Sequence, residues 1–364
     1  MRFASRAAAV GVAAITVVGL SVVPAQASPQ HHTIWVRPGT GTISAAVANA
    51  RPGDTIMLGK GTFYDSVFIP ITLTIRGSGW HKTVVKPPAS SDNPCNDPQG
   101  MNGFCAVGAF DAQGNPDLSQ PVRNVTIADL RVTGFTATGV LGLNTRGMHV
   151  YGVRADHDGG YGIARFASTK SVFEHNWTSY NEEAGLYLGD SPNADSVVRN
   201  NWTDHNGFGV FLRDSTRLTT RDNKAWGNCI GILALDTGEP TAAGDMKIVD
   251  NDVFANNRAC PASDEGPPVS GIGIALAGVH DTLVKGNDVS RNKPSGDSVI
   301  SGGIVLFSTA SEGGADPTDN TVRNNELHRN QPADIVSDGT GSGNVIKHNE
   351  CQTTIPANLG GCDH

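Results

Sequence analysis

The sequence contains few charged and few aromatic residues, which make up 17% and 6% of its 364 positions. It also lacks the amphipathic runs of roughly 10–12 residues that a helical repeat would need. No P-loop, dinucleotide-binding glycine motif or Ser-His-Asp motif is evident. The cysteines and histidines do not have the CxxC or HxxxH spacing of a metal site. These absences argue against a helical repeat protein, a nucleotide-binding enzyme, a serine hydrolase and a structural zinc domain.

Glycine is abundant, and four of the 44 glycines mark a repeat. Gly162, Gly185, Gly209 and Gly231 each stand between two apolar residues, and they follow one another after 23, 24 and 22 residues. Three short strands and three turns together need roughly 20–25 residues. The spacing therefore predicts a solenoid in which each repeat forms one coil of a parallel β-helix.

The first 27 residues have the features of a secretory signal peptide. Arg2 and Arg6 precede an apolar run over residues 7–23, and Pro-Ala-Gln-Ala then predicts cleavage after Ala27. Removing the two arginines leaves 25 basic and 35 acidic side chains, a formal charge of −10 that disfavours nonspecific nucleic-acid binding. Since no later segment is long enough to span a bilayer, we expect a secreted monomer without a membrane span.

Residues 28–364 are predicted to form a single β-helix domain. Residues 42–50 have a short helical pattern, and a helix at this end would cap the core and the open strand edges. Residues 89–121 are rich in Pro, Asn, Asp and Gly, which predicts a long loop, and residues 122–350 are predicted to form the regular coils.

Six cysteines follow the signal peptide, and secretion permits them to pair. Six cysteines allow fifteen connectivities. Their spacing favours Cys95–Cys105, Cys229–Cys260 and Cys351–Cys362. The first and last would close short loops near the two ends, and the second would tie one coil to an insertion in the next.

Equivalent positions of successive coils align in columns about 4.8 Å apart. One column is predicted to form an internal amide ladder, and it contains Asn176, Asn201, Asn223, Asn251, Asn287, Asn325 and Asn349. One position later, Trp177 and Trp202 suit either stacking on sugar rings or burial under a loop. Two positions earlier, Arg199 and Arg221 belong to a basic stripe, which is either a solvated strand surface or a track for an acidic polymer.

Ionisable and aromatic residues concentrate in three successive coils. A uronate lyase or epimerase needs a base for the C5 proton, a cation near the sugar carboxylate and an acid on the far face. The candidate catalytic residues are His157, Arg165, Tyr187, His205 and Arg213, and the candidate substrate contacts are Tyr161, Trp177, Trp202, Arg199 and Arg221. Alternatively, the same segment is an Asx-rich turn ladder that includes histidines. Arg165 falls on an inward position, where it needs either a bulge or a partner.

Calcium is the candidate cofactor, and its candidate ligands are Asp158, Glu182 and Glu183. Asp190 and Asp214 recur after the glycine strands, where they suit turn caps or calcium ligands. Copper has weaker support, because methionine is scarce and residues 31–32 are the only adjacent histidines.

Two features carry a resemblance to known families. Residues 42–79, TISAAVANARPGDTIMLGKGTFYDSVFIPITLTIRGSG, resemble the opening of many secreted right-handed parallel β-helix proteins. The Asn and Gly-Ile repeat resembles those of the copper-accessory proteins of nitrous oxide reductase, the mannuronan C5-epimerases and the wider pectate-lyase-like superfamily. The resemblance implies an all-β, right-handed parallel β-helix with a short N-terminal capping helix. Pectate-lyase-like enzymes often use calcium to bridge the substrate carboxylate. Mannuronan epimerases carry Asp-Pro-His-Glu, whereas the nearest string here is Asp156-His157-Asp158, without proline.

These observations favour a secreted protein that binds an acidic, uronate-containing polysaccharide and modifies it by β-elimination or C5 epimerisation. The alternative is a non-catalytic β-helix scaffold, either similar to the copper-accessory proteins or a cell-surface carbohydrate-binding module. A glycoside hydrolase is a third possibility, which depends on the separation of two carboxylates.

Overall fold

A computed structural model describes residues 31–363 except 99, 112, 264 and 265, so the predicted signal peptide lies outside the described residues. The chain passes in turn through three parallel sheets, once per coil, which confirms the predicted all-β solenoid. Within this part of the chain, no helix has the length and apolar character needed to cross a membrane.

Each sheet collects one strand from each coil. The first sheet contains Thr33–Val36, Thr55–Leu58, Thr74–Arg76, Thr126–Ala128, His149–Tyr151, Val172–Glu174, Ser196–Arg199, Leu218–Arg221, Lys247–Val249, Leu283–Lys285, Thr321–Arg323 and Val345–Lys347. The second sheet contains Gly61–Tyr64, Thr83–Lys86, Arg131–Thr133, Arg154–Asp156, Trp177–Ser179, Trp202–Asp204, Lys224–Trp226, Asp252–Phe254, Asp288–Ser290, Glu326–His328, Asn349–Glu350 and Cys362–Asp363. The third sheet contains Val67–Ile69, Phe104–Ala106, Val140–Leu143, Ile163–Phe166, Ala184–Ser191, Phe208–Ser215, Ile230–Leu235, Ile272–Ala277, Gly302–Phe307, Ile335–Ser337 and Thr354–Ile355.

Four short strands lie outside these sheets. Val122–Arg123 pairs in parallel with Thr145–Arg146, and Ala259–Cys260 pairs antiparallel with Val269–Ser270 inside an insertion. The segment 89–121, predicted as a long loop, is mostly irregular but contributes Phe104–Ala106 to the third sheet. A single 3₁₀ turn, Ala310–Glu312, lies in a later insertion of the described chain.

The predicted capping helix spans Thr42–Asn49. Its inner side buries Ile43 and Val47 against the first coils, so the helix covers the end of the core. Asp65 anchors its first turn, because one carboxylate oxygen accepts hydrogen bonds from the backbone N–H groups of Ile43 and Ser44 at 2.8 and 3.1 Å. A carboxylate is favourable there because the helix N-terminus carries partial positive charge.

Apolar side chains pack on both sides of the third sheet. The inward columns of all three sheets form one continuous core along the axis. On the outward side of the third sheet, Tyr187, Phe211 and Leu233 occupy one column and form a second buried cluster. Val269 and Ile300, which lie in two insertions, pack against this cluster.

All three predicted disulfides are present: Cys95–Cys105, Cys229–Cys260 and Cys351–Cys362. In the second disulfide, Cys229 is buried directly before the third-sheet strand Ile230–Leu235. It is joined to Cys260, which lies in the insertion that starts near Ala259. A crosslink of this kind typically stabilises a fold by about 2–4 kcal/mol.

Two asparagine ladders satisfy the backbone at the sharp turns. The predicted ladder follows the first sheet, and in it Asn201 is fully buried and makes four side-chain hydrogen bonds. Its Oδ1 accepts from the backbone N–H and the Nδ2 of Asn176, both at 3.0 Å, and its Nδ2 donates to Phe173 O and Asn223 Oδ1, both at 2.9 Å. A second ladder follows the second sheet and contains Asn181, Asn206, Asn228, Asn256, Asn292 and Asn330.

Asp158, predicted as a metal ligand, is instead the buried first member of this second ladder. Its Oδ1 accepts from Phe135 N at 2.9 Å, and its N–H donates to Asn181 Oδ1 at 3.1 Å. A Cβ placed on Gly139 would lie 2.5 Å from Asp158 Oδ2, and one placed on Gly162 would lie 2.7 Å from Asn181 Nδ2. Asp158 Oδ2 therefore occupies the position that the donating Nδ2 occupies in the asparagines of the ladder. Burial raises the pKa of Asp158 well above its ordinary value, which favours the protonated carboxyl, an analogue of the asparagine amide.

Replacing Asn201 with Ala should lower the free energy of unfolding by about 3 kcal/mol, because buried backbone and amide groups lose their partners. Chemical denaturation measures the change. Asn200→Gly is the matched control, since Asn200 is the exposed neighbour in the same turn and glycine tolerates its left-handed backbone with φ of 55°. Equal effects of the two substitutions would contradict the structural role of the ladder.

Asp158→Asn should stabilise the protein at neutral pH by on the order of 1–3 kcal/mol. The raised pKa means that the stabilising contribution of Asp158 is fully present below the unfolded value of 3.8 and is lost as the pH rises through the folded value. The difference in melting temperature between variant and wild type should therefore be positive at pH 7 and vanish near pH 4. The reverse change one coil later, Asn181→Asp, should destabilise at pH 7. A wild type more stable than Asp158→Asn at pH 7 would show that Asp158 is ionised.

Candidate active site on the second sheet

Three rings project from the turn between the second and third sheets. His157, Tyr180 and His205 occupy equivalent positions in successive coils, with φ angles of 61°, 57° and 56°. This left-handed backbone is unfavourable for residues that carry a Cβ, and Gly134 and Gly227 occupy the same position in the flanking coils. Three consecutive rings are a local feature of this column, since later coils have Ala255, Arg291 and Arg329 at the same left-handed position.

The three rings form a stack along the axis of the β-helix. The His157 and Tyr180 centroids are 5.1 Å apart with planes inclined by 16°, and the Tyr180 and His205 centroids are 4.8 Å apart with planes inclined by 12°. The stack is open to solvent, since Tyr180 is 51% exposed and the His157 and His205 side chains are 59% and 45% exposed. A ligand can therefore contact all three rings without rearrangement.

Each histidine is held by the carboxylate of the preceding residue. His157 Nδ1 lies 3.1 Å from Asp156 Oδ2, and His205 Nδ1 lies 2.8 Å from Asp204 Oδ2. Both carboxylates are buried. A carboxylate at Nδ1 favours the tautomer with hydrogen on that nitrogen, so Nε2 keeps its lone pair for a proton from outside.

The two carboxylates have different neighbours. Asp156 Oδ1 accepts a hydrogen bond from Arg131 Nε at 2.7 Å, and Arg154 Nη2 lies 3.5 Å from its Oδ2. The hydrogen bond with Asp156 raises the pKa of Arg131. Asp204 instead accepts from a neutral donor, the indole Nε1 of Trp177, at 2.5 Å. No arginine among the described residues pairs with Asp204, so its negative charge remains available to a protonated His205.

The two predicted sugar-stacking tryptophans differ in access. The Arg154 guanidinium lies 4.4 Å from the ring centroid of Trp177, and Trp80 and Trp202 meet that ring edge-on at 5.9 and 6.2 Å. These neighbours leave Trp177 half-buried. Trp202 is 46% exposed and presents its ring to solvent.

A second group of predicted residues meets on the outward side of the third sheet. The Tyr187 ring lies over Gly189, because a Cβ there would be 2.1 Å from the tyrosine hydroxyl. The hydroxyl lies near the Arg213 guanidinium but makes no hydrogen bond of good geometry with any described residue, and burial raises the pKa of Tyr187. Arg213 Nε donates to Asp214 Oδ2 at 2.9 Å, and burial raises the pKa of Asp190 nearby.

This second group combines phenol, guanidinium and carboxyl, but access to it is restricted. Tyr187 has no exposed surface, and the rings of Tyr161 and Phe166 lie 4.6 Å from its ring. A polymer would reach the hydroxyl only if these neighbouring rings moved.

Arg165 points into the interior of the coil, in the same inward column as Leu188. Its Nη1 donates to Ser168 O at 2.8 Å and to the hydroxyl of Ser191. No described carboxylate pairs with it, and burial lowers the pKa of Arg165 to about 9. The hydrogen-bond partners of Arg165 at this inward position are therefore neutral groups. Because its side chain is fully buried, Arg165 cannot contact a ligand on the surface.

The remaining candidates lie apart from the stack or in its flanking turn. Arg199 donates to Glu174 Oε2 at 2.7 Å and Arg221 pairs with Asp222, so both charges of the basic stripe are locally balanced. Glu182 is exposed in the turn after Tyr180. Among the described residues, Glu183 included, no three His, Cys, Asp or Glu side chains are placed to hold a metal ion. Calcium binding stays a prediction.

Several residues of this surface were not among the predicted site residues. These residues are Tyr180, Trp80, Arg131 and Arg154. Arg131 and Arg154 precede Trp177 at intervals of 23 residues, so extending that column towards the N-terminus would have found them. A cavity of about 570 Å³ elsewhere, between the capping helix and residues 88–94, contains none of the predicted site residues.

Comparisons with known proteins agree with this architecture. The family model described as a right handed beta helix region matches residues 111–253. The A-module of mannuronan C-5 epimerase AlgE4 from Azotobacter vinelandii is similar at 17% identity and a TM-score of 0.61, over 89% of this chain and 97% of that chain. No curated protein matches the sequence.

Two further solved structures are similar at lower identity. The DFA-IIIase from Arthrobacter chlorophenolicus is 13% identical, with a TM-score of 0.58, over 86% of this chain and 81% of that one. The family 28 exopolygalacturonase from Yersinia enterocolitica is 11% identical, with a TM-score of 0.53, over 88% and 78%. At these identities the likeness concerns the fold. The chain therefore has the fold of a right-handed parallel β-helix protein.

Proposed function

We propose that this protein binds an acidic, uronate-containing polysaccharide on the outward side of the second sheet and modifies it by β-elimination or C5 epimerisation. The observation that carries the proposal is the exposed His157–Tyr180–His205 stack, in which both histidines are backed by buried carboxylates. Similarity to a mannuronan epimerase module and an exopolygalacturonase supports an acidic sugar polymer as substrate.

The stack has the groups that this chemistry needs. With hydrogen on Nδ1, the Nε2 of His205 or His157 would take the C5 proton, and the electron pair of the C5–H bond would pass into the adjacent carboxylate as an enolate. Nearby cations lower the energy of that charge, and Arg154 is the nearest arginine to the tryptophans. Reprotonation at C5 from the opposite face gives the epimer. Loss of the O4 substituent, with a proton from Tyr180, gives the unsaturated product.

Secretion and calcium are parts of the proposal. Three disulfides fit an oxidising compartment. An exposed acidic side chain such as Glu182 would hold the calcium ion, which would supply positive charge for the sugar carboxylate.

The second candidate function is a carbohydrate-binding scaffold without turnover. The position of the three rings favours this function. Other coils have Ala255 and Arg291 at the equivalent turn position with the same left-handed backbone, so this position does not by itself require a catalytic residue. A stack of rings at a turn is also a ready platform for sugar rings.

Incubation with polymannuronate, polyguluronate, polygalacturonate and a neutral glucan tests the proposal, with calcium and with a chelator. Ultraviolet absorbance detects unsaturated uronates, and proton NMR detects epimers. Binding without either product would favour the scaffold. Absence of both binding and turnover on every acidic polymer would refute the proposed function.

His205→Asn should reduce kcat at least about 100-fold, because a positioned general base contributes that much. Asparagine tolerates the left-handed backbone, so the melting temperature should stay within a few degrees. His175→Asn is the matched control, since His175 is an exposed histidine with φ of 54° in the other turn of the coil. His157→Asn, measured in parallel, identifies which histidine is the base. Full activity in both stack variants would exclude the stack from catalysis.

Trp177→Phe should lower kcat about tenfold and leave KM nearly unchanged, because the indole N–H that holds Asp204 is lost while an aromatic ring remains. Trp202→Ala is the comparison, and its effect should fall on KM because the exposed ring that would stack on sugar is lost. Nitrogen NMR of His205 should show a mixed tautomer in Trp177→Phe only. If the tautomer is unchanged there, Trp177 does not position the His205–Asp204 pair.

A further inference from the structure

One outward column of the second sheet changes character halfway along the molecule. In-register pairing places its members on successive coils: Arg131, Arg154, Trp177, Trp202, Lys224, Asp252, Asp288, Glu326, Glu350 and Asp363. The first five are cationic or aromatic, and the last five are carboxylates. At the junction, Lys224 Nζ forms an ion pair with Asp252 Oδ2 at 3.3 Å.

The carboxylate half is exposed. The side chains of Asp252, Glu326 and Asp363 are 36%, 60% and 66% exposed. Neighbouring rungs are about 4.8 Å apart, so a sugar carboxylate above this half would face several like charges. Each repulsion is about 1 kcal/mol in water.

Other charges also face this half of the column. His328 Nδ1 lies 3.9 Å from Glu326 Oε1, and His348 Nδ1 lies 3.1 Å from Asp363 Oδ2. The basic residues Lys285, Arg323 and Lys347 end strands of the first sheet, on the other side of the asparagine turn. They belong to the neighbouring face, so the column itself presents carboxylates to an approaching ligand.

We infer that the column is a linear track for a polyanionic glycan lying along the axis of the β-helix, and that the carboxylates from Asp252 onwards end it. The inference rests on the proposed function and specifies its substrate geometry. An extended pyranose chain advances per residue by about the length of one rung. The five rungs from Arg131 to Lys224 therefore hold about five uronate residues over about 19 Å, with the stack of His157, Tyr180 and His205 along one edge.

Calorimetric titration with uronate oligomers, from the dimer to the decamer, tests this length limit. All titrations use His157→Asn/His205→Asn as the background, so that neither candidate base acts and the oligomers stay intact. Affinity should rise about two- to fivefold per added residue up to about the pentamer and then stay constant, because exposed charge contacts are individually weak. Neutral oligomers of equal length measure the contribution of stacking alone.

Neutralising the barrier should move the limit. In Asp252→Asn/Asp288→Asn, which neutralises the first two carboxylates after Lys224, affinity should continue to rise for about two further residues. The matched control is Asp297→Asn/Glu312→Gln, which removes the same charge from exposed positions outside the second sheet, and its limit should stay at the pentamer.

The outcomes separate the two proposals. The length at which affinity stops rising could be equal in the barrier variant and in the protein with the unaltered column, or affinity could rise to the decamer in both. Either result would overturn the barrier while leaving acidic-polymer binding intact. A shift of the limit in the control variant as well would show a general charge effect and would also overturn it. Failure of every acidic oligomer to bind would overturn both the track and the proposed function.

Discussion

The structure depends on how the backbone N–H and C=O groups at its sharp turns find hydrogen-bond partners. A turn of two residues between sheets leaves peptide groups that no strand neighbour can pair, and these groups lie inside the molecule. The buried asparagines solve this by bonding to the backbone of one coil and to the amide of the next. Because every rung must then sit directly above its neighbour, the register of the outward columns is determined by buried amides. The ring stack and the charge columns inherit their spacing from this requirement.

The same constraint explains why two equivalent Asp-His pairs have different surroundings. Repetition places Asp156 and Asp204 at one position of the coil, two rungs apart. Arg131 reaches Asp156 from the preceding rung and Arg154 from the same rung. Trp177 reaches Asp204 from the preceding rung. A regular scaffold thus produces an asymmetric pair simply through the order of side chains along one strand edge. Such asymmetry is what a reaction with distinct base and acid requires.

Much of this could be predicted from the sequence, because coil length, inward columns and cysteine spacing are properties of a repeat. The coils, the capping helix, the first ladder and all three disulfides followed from such counting. The conformations of single side chains could not be predicted. Contacts between coils determine whether Arg165 turns outward, which tryptophan keeps a free face and which groups Asp158 bonds to. The burial of Tyr187 likewise depended on rings from neighbouring coils and on insertions, which the repeat does not describe.

The positions of the outer disulfides have a consequence for the lifetime of the protein. A stack whose coils contact only their neighbours loosens from its ends, since a terminal coil has one neighbour instead of two. Cys95–Cys105 lies close to the N-terminal coils, and Cys351–Cys362 closes the last described coil. Crosslinks at both extremities oppose fraying at the sites where a protease would first find unfolded chain. The outer disulfides should therefore slow proteolysis that begins at either end of the described coils.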